Sequence, residues 1–250
     1  MWEEKEFIDP FDRELHYFWM KIEHFGRYLF ACDEIRKKGL QRLRVADIGC
    51  ANGYGSRLLS DVARTVDGYD INEEYLSVAR SKAKVGQEFF KRNFELPNEP
   101  VEDPYDIIVS FEFLEHLSTP FHAIRFIHES LCENGTLICS VPNHLYEGKN
   151  EDGSPSNPFH KCIYKKEEII EIFEHNGFQV EQIYGQAFPN IFAKNEAKLA
   201  RKKRLPFTSS HNDLFEKDDV LKYFSYMFAY PNDLLLEKSY SYIYVLRKRI

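Results

Sequence analysis

The sequence lacks the long apolar run that a membrane-spanning helix needs, and no cationic and apolar leader follows Met1. Its five cysteines form no C-x-x-C pair and have no spacing to histidine that suits zinc. We therefore expect reduced thiols rather than disulfides or a zinc site. Together these absences predict a soluble, cytoplasmic protein without a membrane span.

The sequence also has fewer basic than acidic residues. Lysine and arginine number 33 against 40 aspartate and glutamate residues, which gives a net charge of −7. This balance argues against a broad surface for nucleic acid. The one strongly basic run, RKKR at 201–204, is interpreted as a solvated helix end. We expect no nucleic-acid partner.

What the sequence does contain is an alternation of apolar strands and amphipathic helices. Strands are predicted at 44–49, 65–71, 88–92, 105–111, 135–141, 178–184 and 240–247. Helices are predicted at 56–63, 73–84, 121–131 and 165–175. Strands that are apolar on both faces and alternate with helices are typical of a parallel sheet covered on both sides. The pattern predicts an α/β fold with a seven-stranded, mostly parallel, doubly wound sheet.

Two segments lie outside this alternation. Aromatic, helix-patterned residues at 1–40 precede the sheet, and 189–238 interrupts the alternation before the last strand, with helical stretches at 193–204 and 218–228. We interpret 1–250 as one domain. It comprises an N-terminal helical lid at 1–40, a ligand-binding core at 41–188, an insertion that caps the acceptor site at 189–238, and the last strand at 239–250.

The stretch VADIGCANGYG at 45–55 places three glycines directly after the first strand. In a sheet of this kind the first turn from strand to helix is the usual ligand cradle, and glycine lets a ligand lie against the backbone. The spacing excludes the dinucleotide fingerprint G-x-G-x-x-G, because Leu58 stands where its last glycine would be. Asp70 ends the second strand, where a carboxylate can accept both hydroxyls of a ribose.

With these features the chain resembles the class I S-adenosylmethionine (SAM)-dependent methyltransferases. The resemblance is carried by VADIGCANGYG, VDGYDIN at 66–72, FFKRNFELP at 89–97, YDIIVSFEFLEHL at 105–117 and GTLICSVPN at 135–143. Three further pieces, EHFGRYLFA at 23–31, GYGS at 53–56 and FHKCIYKKEEI at 159–169, are most similar to methyltransferases found with glycan-assembly enzymes. Quinone-biosynthesis methyltransferases share most of these motifs.

The resemblance implies SAM as cofactor and a set of residues that hold it. Asp70 would take the ribose, Ile71 would contact adenine, and Asn93 stands where the family usually has an acid that binds the adenine amino group. Arg27 would clamp the methionine carboxylate, and its alternative interpretation is an exposed arginine on a surface helix. The implied cofactor residues are Arg27, Tyr28, Asp47, Gly49, Cys50, Ala51, Gly53, Gly55, Asp70, Ile71, Asn93, Phe94, Ser110 and Phe111.

The chemistry of this cofactor requires alignment of the acceptor and, for a hydroxyl acceptor, a base. Histidine suits that task near neutrality. His144, directly after SVPN, is the first candidate, His160 the second and His116 the third, with a structural role as the alternative for His116. Glu112 and Glu115 could polarise a histidine, bind a sugar hydroxyl or cap a helix. The acidic pair at 151–152 is a weak signal, and we expect no metal.

The leading hypothesis is O-methylation of a sugar hydroxyl, on a nucleotide sugar or a growing glycan. The alternative is a small-molecule methyltransferase acting on a quinone precursor, another phenol or an amine. A third hypothesis is a binding module that keeps the fold without activity. Nucleic-acid methylation is disfavoured, because SFEF at 110–113 replaces the N/D-P-P-Y/F motif expected after the fourth strand. The sequence does not predict the oligomeric state.

Overall fold

The computed structural model describes residues 8–12, 18–39, 43–187, 198, 218–234 and 236–249. Seven strands form one sheet in the order β3-β2-β1-β4-β5-β7-β6. The strands are β1 Arg44–Ile48, β2 Thr65–Asp70, β3 Gln87–Lys91, β4 Tyr105–Phe111, β5 Leu131–Pro142, β6 Phe178–Gln186 and β7 Ser241–Lys248. Only β7 runs against its neighbours, since it pairs antiparallel with both β5 and β6. The predicted seven-stranded, mostly parallel sheet is confirmed.

Helices cover both faces of this sheet. They are α1 Phe18–Lys37, α2 Tyr54–Leu59, α3 Glu73–Ser81, α4 Phe121–Ser130, α5 Lys166–His175 and α6 Asp218–Phe228, with short 3-10 helices at Leu114–His116 and Leu236–Lys238. One apolar core joins α4 and α5 to the strands, and a second joins α1 and α2 to the opposite face. Among the helices of the described ranges, none has the length and apolar character to span a membrane.

The boundary between α4 and β5 differs from the prediction. The sequence pattern takes the helix to 131 and uses Asn134 and Gly135 as its stop, but α4 ends at Ser130 and β5 begins at Leu131. Leu131 already pairs with Tyr105, and the register then shifts before the regular ladder begins. Asn134 does have a positive φ of 59°. Its Asn-Gly pair therefore makes a bend within the strand, because such pairs serve many kinds of turn.

The segment before the last strand contributes α6, which matches the helix predicted at 218–228. Helix α6 packs on α1 through Leu221 and Ala229. Gly26 makes this close approach possible, because a Cβ on it would lie 2.6 Å from the backbone oxygen of Ala229. The predicted helix at 193–204 and the basic run at 201–204 lie outside the described residues, apart from Lys198, which is helical.

The buried carboxylate of Asp47 on β1 ties α1 and α2 to the sheet. It accepts hydrogen bonds from the hydroxyls of Tyr28 (3.0 Å) and Ser56 (2.6 Å). The Tyr28 ring packs against Gly55, where an added Cβ would lie 1.9 Å from the ring. Gly55 is therefore needed for the packing of α1, rather than as bare backbone against a ligand.

Burial raises the pKa of Asp47 from its usual 3.8 to about 6, and the hydrogen bonds from Ser56 and Tyr28 oppose this effect only in part. The folded protein therefore holds this proton more tightly than the unfolded chain does. As pH rises from 3.8 through 6, the folded state loses stability relative to the unfolded state. Two pKa units correspond to about 3 kcal/mol at most.

We expect Asp47→Asn to remove this loss, because an amide carries no charge and can still bond both hydroxyls. Relative to the unsubstituted protein, the variant should gain up to about 3 kcal/mol of unfolding free energy between pH 4 and pH 7.5. Denaturant unfolding at the two pH values, without added cofactor, measures the change. The control is Asp219→Asn at an exposed position. If the unfolding free energy of Asp47→Asn differs from that of the unsubstituted protein by the same amount at both pH values, the expectation is contradicted.

Candidate active site

A cleft opens beyond the carboxyl ends of β1, β2 and β4. It consists of two cavities of about 370 Å³ and 210 Å³. Gly49, Ala51, Glu112 and His116 line both of them, so the two cavities form one continuous cleft. In an open parallel sheet this is the edge where ligands bind, since the strand order reverses there.

The larger cavity is built around Asp70. One carboxylate oxygen accepts the backbone N–H of Ala51 (2.9 Å) and the other accepts that of Asn72 (2.8 Å). These two backbone donors hold the carboxylate group in place at the edge of the cavity. Ile71 follows with 52% of its side chain exposed, and it lines the same cavity. The pair presents a charged acceptor beside an apolar surface.

The far end of the larger cavity is formed after β3. Asn93 lines it, and its side-chain oxygen accepts the backbone N–H of Glu95 at 2.9 Å. Phe94 also lines it, and its ring packs edge-on against Phe113 and Phe126. A buried aromatic cluster thus fixes this wall, and Asn93 keeps the remaining acceptor and donor capacity of its amide.

The smaller cavity contains a buried guanidinium. Arg27 is only 4% exposed, so its interpretation as a surface arginine is wrong. Its Nη2 donates to the hydroxyl of Ser241 (3.3 Å) and lies 3.5 Å from Glu112, while Nε and Nη1 are buried without a hydrogen-bond partner. Burial and the charge of Arg27 lower the pKa of His24, which lines the same cavity, well below its usual 6.5. Two unpartnered donors fit a carboxylate group of a ligand.

Glu112 is more central to the cleft than its sequence position suggests. It follows β4 with a positive φ of 47°, a strained conformation for a non-glycine residue. Its carboxylate accepts hydrogen bonds from the hydroxyls of Ser140 (2.7 Å) and Ser241 (3.2 Å). In the sequence, the position of Glu112 at the end of a strand indicated a possible role in the site. Nothing in the sequence marked Ser140 and Ser241 as its partners.

Two of the three candidate histidines meet in the cleft. The rings of His116 and His160 lie edge-to-face with centroids 4.9 Å apart. Nδ1 of His116 is 2.9 Å from the backbone oxygen of Phe159, and Nδ1 of His160 is 2.9 Å from the Glu147 carboxylate. The second ring nitrogen of His160, Nε2, lies 3.0 Å from the amide nitrogen of Asn157. Each ring is therefore held by a hydrogen bond through Nδ1.

A buried carboxylate, that of Glu115, lies beside the two histidines. It is 1% exposed, and neither of its carboxylate oxygens has a hydrogen-bond partner. Burial, and secondarily the charge of Glu112, raises the pKa of Glu115 well above its usual 4.5. The backbone oxygen of Glu115 accepts the N–H groups of Lys161 (2.7 Å) and Cys162 (3.1 Å), which fastens the loop after β5 to the end of β4.

His144, the first candidate for the base, lines neither cavity of the cleft. It belongs to the loop after β5 and lies within electrostatic reach of Glu168 on α5. Ser110 is also outside, because its hydroxyl donates to the backbone oxygen of Ile48 (3.2 Å) and joins β4 to β1. Gly53 has a φ of 74° and makes room for Phe89, which an added Cβ would approach to 2.9 Å.

The remaining predicted cofactor residues lie in the cleft or support it. Cys50, Tyr28 and Phe111 line the smaller cavity, and the Tyr28 ring packs edge-on against Tyr54 and Phe111. Asp47 is fully buried beneath this wall and acts through Tyr28. Sequence reasoning placed most of the cleft correctly at strand ends, and it missed Tyr54 and the role of Glu112.

Comparisons with known proteins agree with this architecture. Solved structures with the same fold include an S-adenosylmethionine-dependent methyltransferase from Mesorhizobium loti (15% identity, TM-score 0.57, 86% of this chain and 96% of the other). Another is a putative methyltransferase of Haloferax volcanii in complex with the Trm112 methyltransferase activator (17% identity, TM-score 0.60, 92% of each chain). At these identities the likeness concerns the fold.

Similar sequences include a probable S-adenosylmethionine-dependent methyltransferase of Mycolicibacterium smegmatis, 33% identical over 142 residues (56% of this chain, 54% of the relative). The ubiquinone biosynthesis O-methyltransferase of Pseudomonas aeruginosa is 29% identical over 110 residues (43% and 47%). The chain thus matches about half the length of these curated relatives. Residues 12–183 match the family described as a methyltransferase domain. On this match, which takes in the sheet strands β1 to β5 and the cleft at their ends, the chain belongs to the methyltransferase domain family.

Proposed function

We propose that this protein is a SAM-dependent O-methyltransferase that acts on a hydroxyl group of a small molecule or glycan. The observation that carries the proposal is the cleft itself. Asp70, the buried guanidinium of Arg27 and the pair His116 and His160 line one continuous surface. Relatives named as SAM-dependent methyltransferases support methyl transfer from SAM. A relative named as a ubiquinone biosynthesis O-methyltransferase supports a hydroxyl acceptor.

In this proposal the cofactor lies along both cavities. Asp70 accepts the ribose hydroxyls, Ile71 contacts the adenine ring and Asn93 binds its amino group. Arg27 binds the methionine carboxylate through its two unpartnered nitrogens, a fit of charge and hydrogen-bond capacity. The backbone at Gly49 and Ala51 lines the path between them. Bound SAM supplies an electrophilic methyl group on a sulfonium, which needs no further activation.

The acceptor side of the cleft must bring a hydroxyl into line with that methyl group and help it to lose a proton. His116 lines both cavities, and His160, which belongs to the loop after β5, lines the smaller one, so we assign the activation of the hydroxyl to this pair. The first-ranked sequence candidate, His144, is replaced for a geometric reason, since it lines neither cavity.

A sugar hydroxyl is our first acceptor class and a phenol, such as a quinone precursor, the second. The polar lining of the acceptor side, with Asn157, His160 and Lys161, favours hydroxyl-rich groups. The ubiquinone-pathway relative from Pseudomonas aeruginosa specifically favours the phenol. Nucleic acid is not proposed as an acceptor, because the net charge of −7 opposes phosphate binding.

The test of this function is methyl transfer from labelled SAM to a panel of nucleotide sugars, short glycans, phenols and amines, with release of S-adenosylhomocysteine as the readout. We expect turnover on a sugar. Turnover on phenols alone would show that the acceptor is a phenol and not a sugar. SAM binding without turnover on any hydroxyl compound, but with turnover on an amine, would overturn O-methylation.

Loss of the Asp70 charge should weaken the cofactor site. We expect Asp70→Asn to reduce SAM affinity by about 1–3 kcal/mol, because a charge-assisted hydrogen bond to the ribose is lost. Isothermal calorimetry measures the SAM affinity of the variant. Asp61→Asn, at an exposed position, is the matched control. Equal affinities of the Asp70 variant and the unsubstituted protein would remove Asp70 from the cofactor site.

The two histidine positions can be compared directly. His160→Ala should lower kcat by about 10²–10⁴-fold while SAM affinity stays the same, because the residue acts on the acceptor and not on the cofactor. His144→Ala is the matched control and should keep normal turnover. If turnover is lost in the His144 variant and kept in the His160 variant, His144 is the base, as the sequence analysis predicted.

A further inference from the structure

Three side chains with metal-ligating atoms converge beside the cleft, where His116 lines both cavities and His160 lines the smaller one. One carboxylate oxygen of Glu115 and one ring nitrogen each of His116 and His160 all lie within 4.8 Å of one another. Glu115 is 1% exposed, and both of its carboxylate oxygens are buried without a hydrogen-bond partner among the described residues. Burying a carboxylate in this way is costly unless a donor or a cation completes its environment.

Both histidines are oriented as metal ligands are. Metal-ligating histidines almost always donate the second ring N–H to a carboxylate or a backbone oxygen, which fixes the tautomer and the ring direction. Nδ1 of His116 lies 2.9 Å from the Phe159 backbone oxygen, and Nδ1 of His160 lies 2.9 Å from the Glu147 carboxylate. With both Nδ1 atoms as donors, Nε2 of each ring carries the lone pair that a metal needs.

The surrounding charges favour a cation. The carboxylates of Glu112 and Glu147 act on Glu115 in addition to its own charge, and Arg27 opposes them. Arg27 is already 3.5 Å from Glu112. Lys161 lines the larger cavity but its ammonium group binds Glu95 at 2.6 Å. Among the residues that the structure describes, the charges that act on Glu115 are therefore more negative than positive.

We propose that Glu115, His116 and His160 bind one divalent transition-metal ion, which leaves a coordination position open for the acceptor hydroxyl. Two imidazoles and one carboxylate suit zinc and its first-row neighbours better than magnesium. The proposal rests on the proposed O-methylation and states how the histidine pair activates the acceptor. It replaces the expectation from the sequence that no metal takes part.

The role of the ion follows from its charge. A hydroxyl bound to a divalent cation loses its proton more readily, and the proton passes to solvent through the open cleft. The oxygen lone pair then forms the bond to the methyl carbon, while the electrons of the carbon–sulfur bond return to sulfur. Because each histidine uses its Nε2 lone pair on the ion, neither accepts the proton itself.

Modest side-chain movement would complete the site. Ligand atoms at about 2.0–2.2 Å from an ion in tetrahedral coordination are about 3.3 Å apart. The three groups must therefore close by up to about 1.5 Å from the 4.8 Å limit of their present separation. Asn157 would give up its contact with His160 Nε2 and keep the bond that its side-chain oxygen accepts from the N–H of Phe159 (3.0 Å).

The test is metal binding by the full chain without a histidine tag. After chelator treatment and removal of the chelator, zinc is titrated in competition with a chromophoric chelator, and cobalt is added separately to record its visible absorption. We expect one equivalent of zinc and an absorption typical of tetrahedral or five-coordinate cobalt. Glu115→Gln and His160→Asn should each weaken binding by at least about 100-fold, more than the 10–100-fold typical of an outer-shell partner such as Glu147 in Glu147→Gln.

His144→Asn is the matched control and should bind zinc like the unsubstituted protein. Calorimetry with SAM shows for each variant that the cofactor cavity is folded. Absence of stoichiometric zinc and cobalt binding would overturn the proposal, as would zinc binding that survives in both cluster variants. If Glu115→Gln does not fold, His160→Asn and the cobalt spectrum of the unsubstituted protein decide the question.

Activity separates this inference from the proposed function. Full methyl transfer by metal-free protein would overturn the ion's role and leave O-methylation standing. Stoichiometric zinc binding through the cluster, without methylation of any hydroxyl compound in the panel, would support the metal site and overturn O-methylation.

Discussion

The two hydrogen bonds accepted by the buried carboxylate of Asp47 determine how the cleft is assembled. Asp47 belongs to β1, and its partners Tyr28 and Ser56 belong to α1 and α2. Successive residues of a helix point about 100° apart. When Tyr28 is fixed on Asp47, Arg27 is therefore directed to a different wall, where it meets Ser241 and Glu112. One buried interaction thus places Arg27, the proposed clamp for the cofactor.

Glu112 performs a similar role at the opposite wall. Its strained backbone costs on the order of 1–3 kcal/mol, and the hydrogen bonds from Ser140 and Ser241 offset that cost at about 1 kcal/mol each. Through these contacts and Arg27, the residue connects β4 with β5, β7 and α1 at a single point. Strain is retained here because several elements hold the residue from different directions.

The sequence was sufficient to predict the sheet, because its strands are nearly continuous apolar runs separated by clear helix signals. It also predicted Asp70, Gly49 and Ala51 in the cleft, since topology brings the carboxyl ends of parallel strands to one edge. The direction of a side chain after a strand depends instead on the path of the following loop. For this reason sequence patterns do not show that His160 rather than His144 lines the cleft, and they leave the role of Glu112 open among several alternatives.

That loop path is set by contacts that leave little trace in the sequence. The residues after β5 are fastened by the N–H groups of Lys161 and Cys162 to the backbone oxygen of Glu115. Main-chain groups are the same in every residue except proline, which lacks the N–H. Likewise, the ends of α4 and β5 depended on a strand pairing of Leu131 with Tyr105 that local patterns do not encode.

The same backbone anchoring has an evolutionary consequence. Because the loop is fastened through main-chain atoms, its side chains can change by mutation while its position over the cleft is preserved. The residues that face an acceptor can therefore diversify without disturbing Asp47, Arg27 or Asp70. Descendants of one ancestral chain could in this way acquire new acceptors at little cost to folding and to cofactor recognition.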